Sequence, residues 1–82
     1  MQLTIITPDQ EVFDGEVESA TFPGSDGSFQ VLRNHAPLVS SLGTGEIEYR
    51  GSAGEGTVTI EGGVVEVLNN TITVLAERVV NA

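Results

Sequence analysis

Turn-forming residues recur along the whole chain, at intervals too short for helices of ordinary length. Glycine, proline and asparagine clusters lie at Thr7-Pro8-Asp9, Asp14-Gly15, Pro23-Gly24-Ser25-Asp26-Gly27, Gly43-Thr44-Gly45, residues 51–56, Gly62-Gly63 and Asn69-Asn70. Several of the segments between them alternate apolar and polar side chains with the period of two that is typical of a strand. Many short strands separated by such signals predict an all-β sandwich or barrel.

The clearest strand predictions cover residues 2–7, 46–50, 57–61 and 71–76. In the last of these, Ile72, Val74 and Ala76 share one face, and Leu75 lies on the opposite face with two threonines. Both faces of that strand therefore carry apolar area. Residues 51–56, which are rich in glycine, predict a flexible hairpin tip, and no stretch of ten residues has the spacing of a capped amphipathic helix.

Two places depart from regular alternation. Val17 and Ala20 are an odd number of positions apart and cannot share a face of a regular strand, so we predict a β-bulge near Ser19. Gly62 and Gly63 stand together inside a strand-like segment, where glycine is normally avoided. They predict a bulge or a close backbone approach that a side chain would block.

Size and charge exclude several classes of function. The chain has 82 residues, a formal net charge of -9 and no cysteine. A single domain of this size, residues 1–82, has little apolar surface to spare for a deep ligand cavity. Twelve acidic residues outnumber the three arginines, and this negative charge repels phosphate, so nucleic acid is not expected as a partner. The absence of cysteine removes disulfide and zinc-thiolate sites.

Other motifs do not support binding or catalysis. The segment 24–28 lacks the Lys-Ser/Thr ending and the following helix of a phosphate loop, and it has too few carboxylates for a calcium loop. Asn69-Asn70-Thr71 has the form of a glycosylation sequon, but it reads better as a turn into a strand. No apolar run approaches the length of a membrane span, and no signal-peptide pattern opens the chain.

The single histidine, His35, lies between two apparent strands and two residues before Pro37. It has no evident partner for nucleophilic or acid-base catalysis. A histidine that packs and hydrogen-bonds at a corner and a histidine that contacts a partner protein are both consistent with this position, and composition does not separate them.

The segment from Gly24 to Val39, which ends in His35-Ala36-Pro37-Leu38-Val39, resembles the motif region of the epsilon subunit of F-type ATP synthases. Three more motifs keep the same order and spacing: Val12-Phe13-Asp14-Gly15, Gly43-Thr44-Gly45-Glu46-Ile47, and residues 60–67 followed by 72–77. Within this domain the chain departs from the family pattern only at positions of packing detail, at Gln30, Arg33-Asn34 and Val64.

The resemblance implies a β-sandwich of about ten short strands at the foot of the central rotor stalk. This protein would bind the gamma subunit and the c-ring and couple proton-driven rotation to ATP synthesis. It would do no chemistry itself, need no cofactor or metal, and lie at the cytoplasmic face of the bacterial inner membrane as a peripheral part of the synthase. The helical hairpin that follows the sandwich in longer members is expected to be absent.

Carried over by motif position, the residues implied to face gamma are Thr7, Val12, His35, Val39 and Ser40, and those implied at the c-ring are Asp26, Gly27 and Ser28. The alternative function is a free-standing β-sandwich module that binds a carbohydrate or another small ligand. Such modules usually expose tryptophan or tyrosine, whereas this chain has no tryptophan and one tyrosine.

Overall fold

The fold consists of β-strands joined by short connections. The computed structural model describes residues 1–81, and the predicted domain of residues 1–82 therefore extends one residue, Ala82, past the described part. The eight strands are β1 (Gln2–Ile6), β2 (Glu11–Glu16), β3 (Ser19–Gly24), β4 (Gly27–Leu32), β5 (Leu38–Gly51), β6 (Gly54–Leu68), β7 (Thr71–Ala76) and β8 (Val79–Asn81). No described residue belongs to a helix that is long and apolar enough to cross a membrane. The all-β prediction is confirmed.

One long antiparallel ladder, β5 with β6, organises the molecule. It runs from the pair Leu38↔Val67 to the pair Gly51↔Gly54 at a tight hairpin turn. The other strands attach to one half of it or the other. The first layer has the order β2-β1-β7-β6-β5 and uses the C-terminal half of β6 and the N-terminal half of β5. The second layer has the order β4-β3-β5-β6-β8 and uses the other halves.

This sharing explains the difference between the expected and the observed number of strands. About ten short strands were predicted, and the structure has eight. Because β5 and β6 each serve in both layers, the eight strands supply ten strand segments. The predicted strands 46–50 and 57–61 are therefore the second-layer halves of strands 14 and 15 residues long.

Glycines allow the long ladder to bend between its halves. The pairs Leu42↔Gly63 and Thr44↔Glu61 flank the bend, with Gly43 and Gly62 between them. Gly62 has a φ of 79° and Gly63 a φ of 149°, a region that side-chain-bearing residues rarely adopt. A Cβ atom on Gly63 would lie 2.5 Å from the carbonyl oxygen of Leu75 on the neighbouring strand. The predicted close backbone approach is confirmed.

A single hydrophobic core fills the space between the layers. Its largest fully buried side chains come from both layers and include Phe22, Leu3, Ile5, Ile47, Ile60 and Ile72. Phe13 on β2 and Tyr49 on β5 meet across the layers with ring centroids 4.2 Å apart. Among residues 1–80, whose burial the structure describes, no polar or charged side chain is buried.

Two local predictions need correction. The structure has no bulge near Ser19. Because β2 ends at Glu16 and β3 begins at Ser19, Val17 lies in the link between the two strands, and its side chain is buried there. The Val17 amide donates to the carbonyl oxygen of Met1 at 2.8 Å, which holds that link in place. The strand prediction is also incomplete, because Val79–Asn81 form β8, which pairs with β6.

Gly63→Ala tests the bend. We expect it to lower the free energy of unfolding by about 1 to 3 kcal/mol, because its Cβ would meet backbone atoms in a strained conformation. Gly43→Ala is the matched control: the nearest atom to its Cβ would lie 3.9 Å away, and its φ is not positive. Urea unfolding of the two variants measures the difference, and equal midpoints would contradict this account of the bend.

Candidate functional site: an apolar sheet face

The outer face of the first layer carries a row of adjacent apolar side chains. Cross-strand pairing aligns Val64 on β6 with Leu75 on β7, and Leu75 with Ile6 on β1. Val39, on the edge strand β5, lies one row away, opposite Glu66. Val39, Val64 and Leu75 are 69%, 42% and 52% exposed. We call these four residues, Ile6, Val39, Val64 and Leu75, the apolar face.

The apolar face continues into a depression at one end of the layer. This depression, of about 320 Å³, is lined by Ile6, Thr7, Pro8, Leu75, Ala76 and Glu77. Most of the surface there is apolar. Contiguous exposed apolar area of this kind is typical of a site that another protein covers, whereas single exposed apolar side chains need no explanation.

The outer face of the second layer has the opposite character. Its depression, of about 370 Å³, is lined by hydroxyl, amide and charged groups of residues that include Thr21, Gln30, Glu48 and Thr57. The exposed apolar residues of this layer, Leu32 and Val80, lie on its two opposite edge strands, β4 and β8. They form no continuous patch. Of the two outer faces, therefore, only that of the first layer offers an apolar docking surface.

Three of the residues predicted to face gamma lie near one edge of the first layer. Val39 points outward as part of the apolar face, whereas Ser40, the next residue, points to the other side and donates its hydroxyl to the carbonyl oxygen of Ser41 at 3.1 Å. His35 is half-buried in the loop before β5. Its Nδ1 lies 2.7 Å from the carbonyl oxygen of Ala36, and its amide donates to Leu32 at 3.1 Å.

The other two lie near the opposite edge. Thr7 opens the turn after β1, where its hydroxyl accepts hydrogen bonds from the amides of Asp9 and Gln10 at 3.3 and 3.2 Å. Val12 lies on β2, at the irregularity in β1–β2 pairing, and packs partly into the core. Four interstrand steps separate β2 from β5, or about 19 Å at the usual spacing. The five predicted residues therefore do not form one cluster: Val39 belongs to the apolar face, and the other four lie near the two edges of the first layer.

The three residues predicted at the c-ring do lie together. Asp26, Gly27 and Ser28 are exposed at and beside the turn between β3 and β4. The amide of Ser25 donates to the carbonyl oxygen of Ser41 at 3.1 Å, and the hydroxyl of Ser41 donates to that of Ser25 at 2.9 Å. These bonds tie the tip to β5, so it projects from a fixed base.

Sequence reasoning missed the centre of the site, which consists of Ile6, Val64 and Leu75. One signal for it was available, because Leu75 was placed on the face opposite the core residues of its strand. The pairing that sets Val64 and Ile6 beside it depends on strand order, which alternation along one strand does not contain.

The described residues hold no group of three or more His, Asp or Glu side chains that could bind a metal ion. The single tyrosine, Tyr49, is half-buried: its ring lies against Phe13, its hydroxyl end covers Gly56, and it also borders the depression on the second layer. The arrangement is suited to binding a protein surface.

Comparison with known proteins shows which family shares this sequence. Residues 1–82 match the family described as the ATP synthase delta/epsilon chain, β-sandwich domain. The ATP synthase epsilon chain of Leptospira borgpetersenii is 40% identical over 78 residues, which are 95% of this chain and 61% of that one. The epsilon chain of Caulobacter vibrioides is 35% identical over 82 residues, which are 100% of this chain and 95% of that one. The chain thus spans less than two thirds of the Leptospira relative.

Solved structures share the fold. A chain in the Euglena gracilis mitochondrial ATP synthase, solved as OSCP/F1/c-ring, superposes with a TM-score of 0.86 at 24% identity and covers 96% of this chain and 51% of that one. A chain in the central stalk/c-ring of the Tetrahymena thermophila mitochondrial enzyme gives a TM-score of 0.81 at 22% identity, with 98% and 65% covered.

The assignment of faces on β7 can be tested with two alanine variants. Val74→Ala should lower the free energy of unfolding by about 2 kcal/mol, because Val74 is fully buried. Leu75→Ala should cost less than about 1 kcal/mol, although it removes a larger side chain, since Leu75 is already half in water. Chemical denaturation would compare the two, and a larger loss for Leu75→Ala would mean that the faces are reversed.

Proposed function

The chain belongs to the delta/epsilon family of ATP synthase subunits through its β-sandwich domain, and we propose that it is a central-stalk rotor subunit that links gamma to the c-ring. In this role it couples proton-driven rotation to ATP synthesis without catalysing a reaction. It is a peripheral part of the membrane-bound synthase, at the cytoplasmic face of the bacterial plasma membrane. The two solved assemblies that contain the similar chains, an OSCP/F1/c-ring complex and a central stalk/c-ring complex, support this setting.

The apolar face is the observation that carries the proposal. In a chain with a net charge of -9, the row Val64, Leu75 and Ile6 contains no charged side chain. Burial of exposed apolar area supplies most of the affinity of a protein interface. We assign the apolar face to gamma, with Val39 at one edge and Thr7 at the end of the depression.

The acidic surface around the apolar face supports the same partner assignment in a different way. Glu66 lies within the face beside Val39, and Glu11 and Glu77 lie at its margin. A partner that presents lysine or arginine would be steered to this side of the molecule, while its affinity would come from the apolar contacts.

The turn between β3 and β4 is assigned to the c-ring. Asp26, Gly27 and Ser28 are all exposed there, and the Ser25–Ser41 hydrogen bonds connect the turn to β5. Because β5 continues through both layers, a force on the turn is transmitted to the whole sandwich through one hydrogen-bonded ladder. A rigid connector of this kind transmits torque, whereas a loop would yield.

Val64→Glu tests the assignment of the apolar face to gamma. It places a charge at the centre of the row and should weaken binding to purified gamma by at least about tenfold, or about 1.4 kcal/mol. Thr57→Glu is the matched control, because it adds the same charge at an exposed position on the outer face of the second layer. Titration by biolayer interferometry measures the gamma affinity of both variants. A larger loss of affinity for Thr57→Glu would mean that gamma binds the second layer and that our assignment is wrong.

His35→Ala separates a partner contact from a structural histidine. The hydrogen-bond partners of His35, Leu32 and Ala36, are close in sequence, and the ring is partly exposed. We therefore expect a small change in melting temperature and a loss of gamma affinity of about fivefold. A large drop in melting temperature with unchanged affinity would instead mean that His35 is a structural residue of the corner.

A further inference from the structure

Two exposed asparagines connect the loop of residues 33–37, which we call the His35 loop, to the first layer. The amide nitrogen of Asn34 donates to Oδ1 of Asn70 at 2.6 Å, and Nδ2 of Asn70 donates to Oδ1 of Asn34 at 2.9 Å. These residues are 36 positions apart in the chain. Asn34 lies between β4 and β5, and Asn70 lies in the turn between β6 and β7. We call this reciprocal pair of hydrogen bonds the Asn34–Asn70 clasp.

Backbone geometry explains why both positions hold residues that tolerate positive φ. Asn34 has a φ of 65° and is the third residue of the turn closed by the hydrogen bond from His35 to Leu32, the position of a type II turn that needs positive φ. Asn69 and Asn70 have φ values of 51° and 59°, as in the two-residue type I′ turn of a hairpin. Glycine would satisfy these backbones equally well, but it has no side chain with which to form the clasp.

Asn70 is itself held firmly. Its carbonyl oxygen accepts a hydrogen bond from the amide of Gln2 at 2.9 Å, which joins the turn to β1. The loop of residues 33–37 has no comparable anchor: apart from the clasp, its hydrogen bonds in the described structure are the contacts of His35 with its near neighbours Leu32 and Ala36. The clasp is therefore what fixes the loop to the rest of the first layer.

Both asparagines are exposed, so water competes for their hydrogen bonds and the clasp contributes little to the stability of the fold. The clasp has a different effect on the affinity of a loop that binds a partner. If the loop is already held in place, the partner does not have to order it, and the affinity rises by the ordering cost that is avoided.

We propose that Asn34 and Asn70 are positioning residues whose clasp holds the His35 loop in the conformation that gamma binds. This inference rests on the proposed function, because it takes gamma as the partner. Neither asparagine needs to touch gamma. The edge that begins at His35 and continues to Val39 would then be presented to the partner as one preformed border of the apolar face.

Glycine substitutions test the clasp without straining the backbone. Asn70→Gly removes both hydrogen bonds and keeps the positive φ, and Asn34→Gly removes the bond that its own side chain accepts. Asn69→Gly is the matched control, since it changes the neighbouring residue of the same turn, whose side chain forms no hydrogen bond in the described structure. The measurements are the dissociation constant for purified gamma, the amide exchange rates of Asn34 and His35 by NMR, and the melting temperature.

We expect Asn70→Gly to weaken gamma binding about fivefold and to speed amide exchange at Asn34 and His35, with a melting temperature close to that of Asn69→Gly. The double variant Asn34→Gly/Asn70→Gly should bind no more weakly than Asn70→Gly alone, because the two residues act through one contact. Asn69→Gly should bind like the unmodified chain.

Gamma affinity that is unchanged in Asn70→Gly, or losses that add in the double variant, would overturn the positioning role. So would equal losses in Asn69→Gly and Asn70→Gly. A failure of the proposed function looks different, because the unmodified chain would then not bind gamma, while amide exchange would still report whether the clasp orders the loop.

Discussion

The β5–β6 ladder is the constraint on which the rest of the structure depends. A strand of ordinary length belongs to one sheet, but these two strands stay paired through both layers and bend together at Gly43, Gly62 and Gly63. Every other strand except β2 pairs directly with one half of the ladder or lies one strand away from it. The position of the bend therefore decides which side chains of the ladder face the core and which face outward.

The first-layer half of the ladder supplies most of what the proposed docking surface needs. It sets Val39 and Val64 on the outer face, and β7 and β1 then add Leu75 and Ile6 by simple pairing. Loops of similar composition would have to be ordered by a partner, whereas a sheet face is already ordered. The surface and the rigidity that the proposed connector role requires thus have the same origin.

The sequence predicts the fold where its signals are local. Residues 71–76 alternate cleanly and form β7 with the expected bounds, and Asn69-Asn70 is a turn as expected. The paired glycines were informative because only close backbone contact makes two of them useful inside a strand. Long strands were harder to recognise, since Gly43-Thr44-Gly45 and Gly62-Gly63 read as breaks although hydrogen bonding continues around the bend. β8 gave no signal, because three residues are too few to show a period.

The site was only partly predictable for the same reason. The resemblance implied contacts at Val39 and His35, which lie near one edge of the first layer, but the centre of the apolar face depends on which strands are neighbours, and that is a property of the topology. Methyl NMR with saturation transfer from gamma to this chain would test the face assignment directly, because exposed valines and leucines lie on both layers. The account predicts transfer to Val39, Val64 and Leu75, and none to Val80 on β8. Transfer to Val80, with none to Leu75, would contradict it.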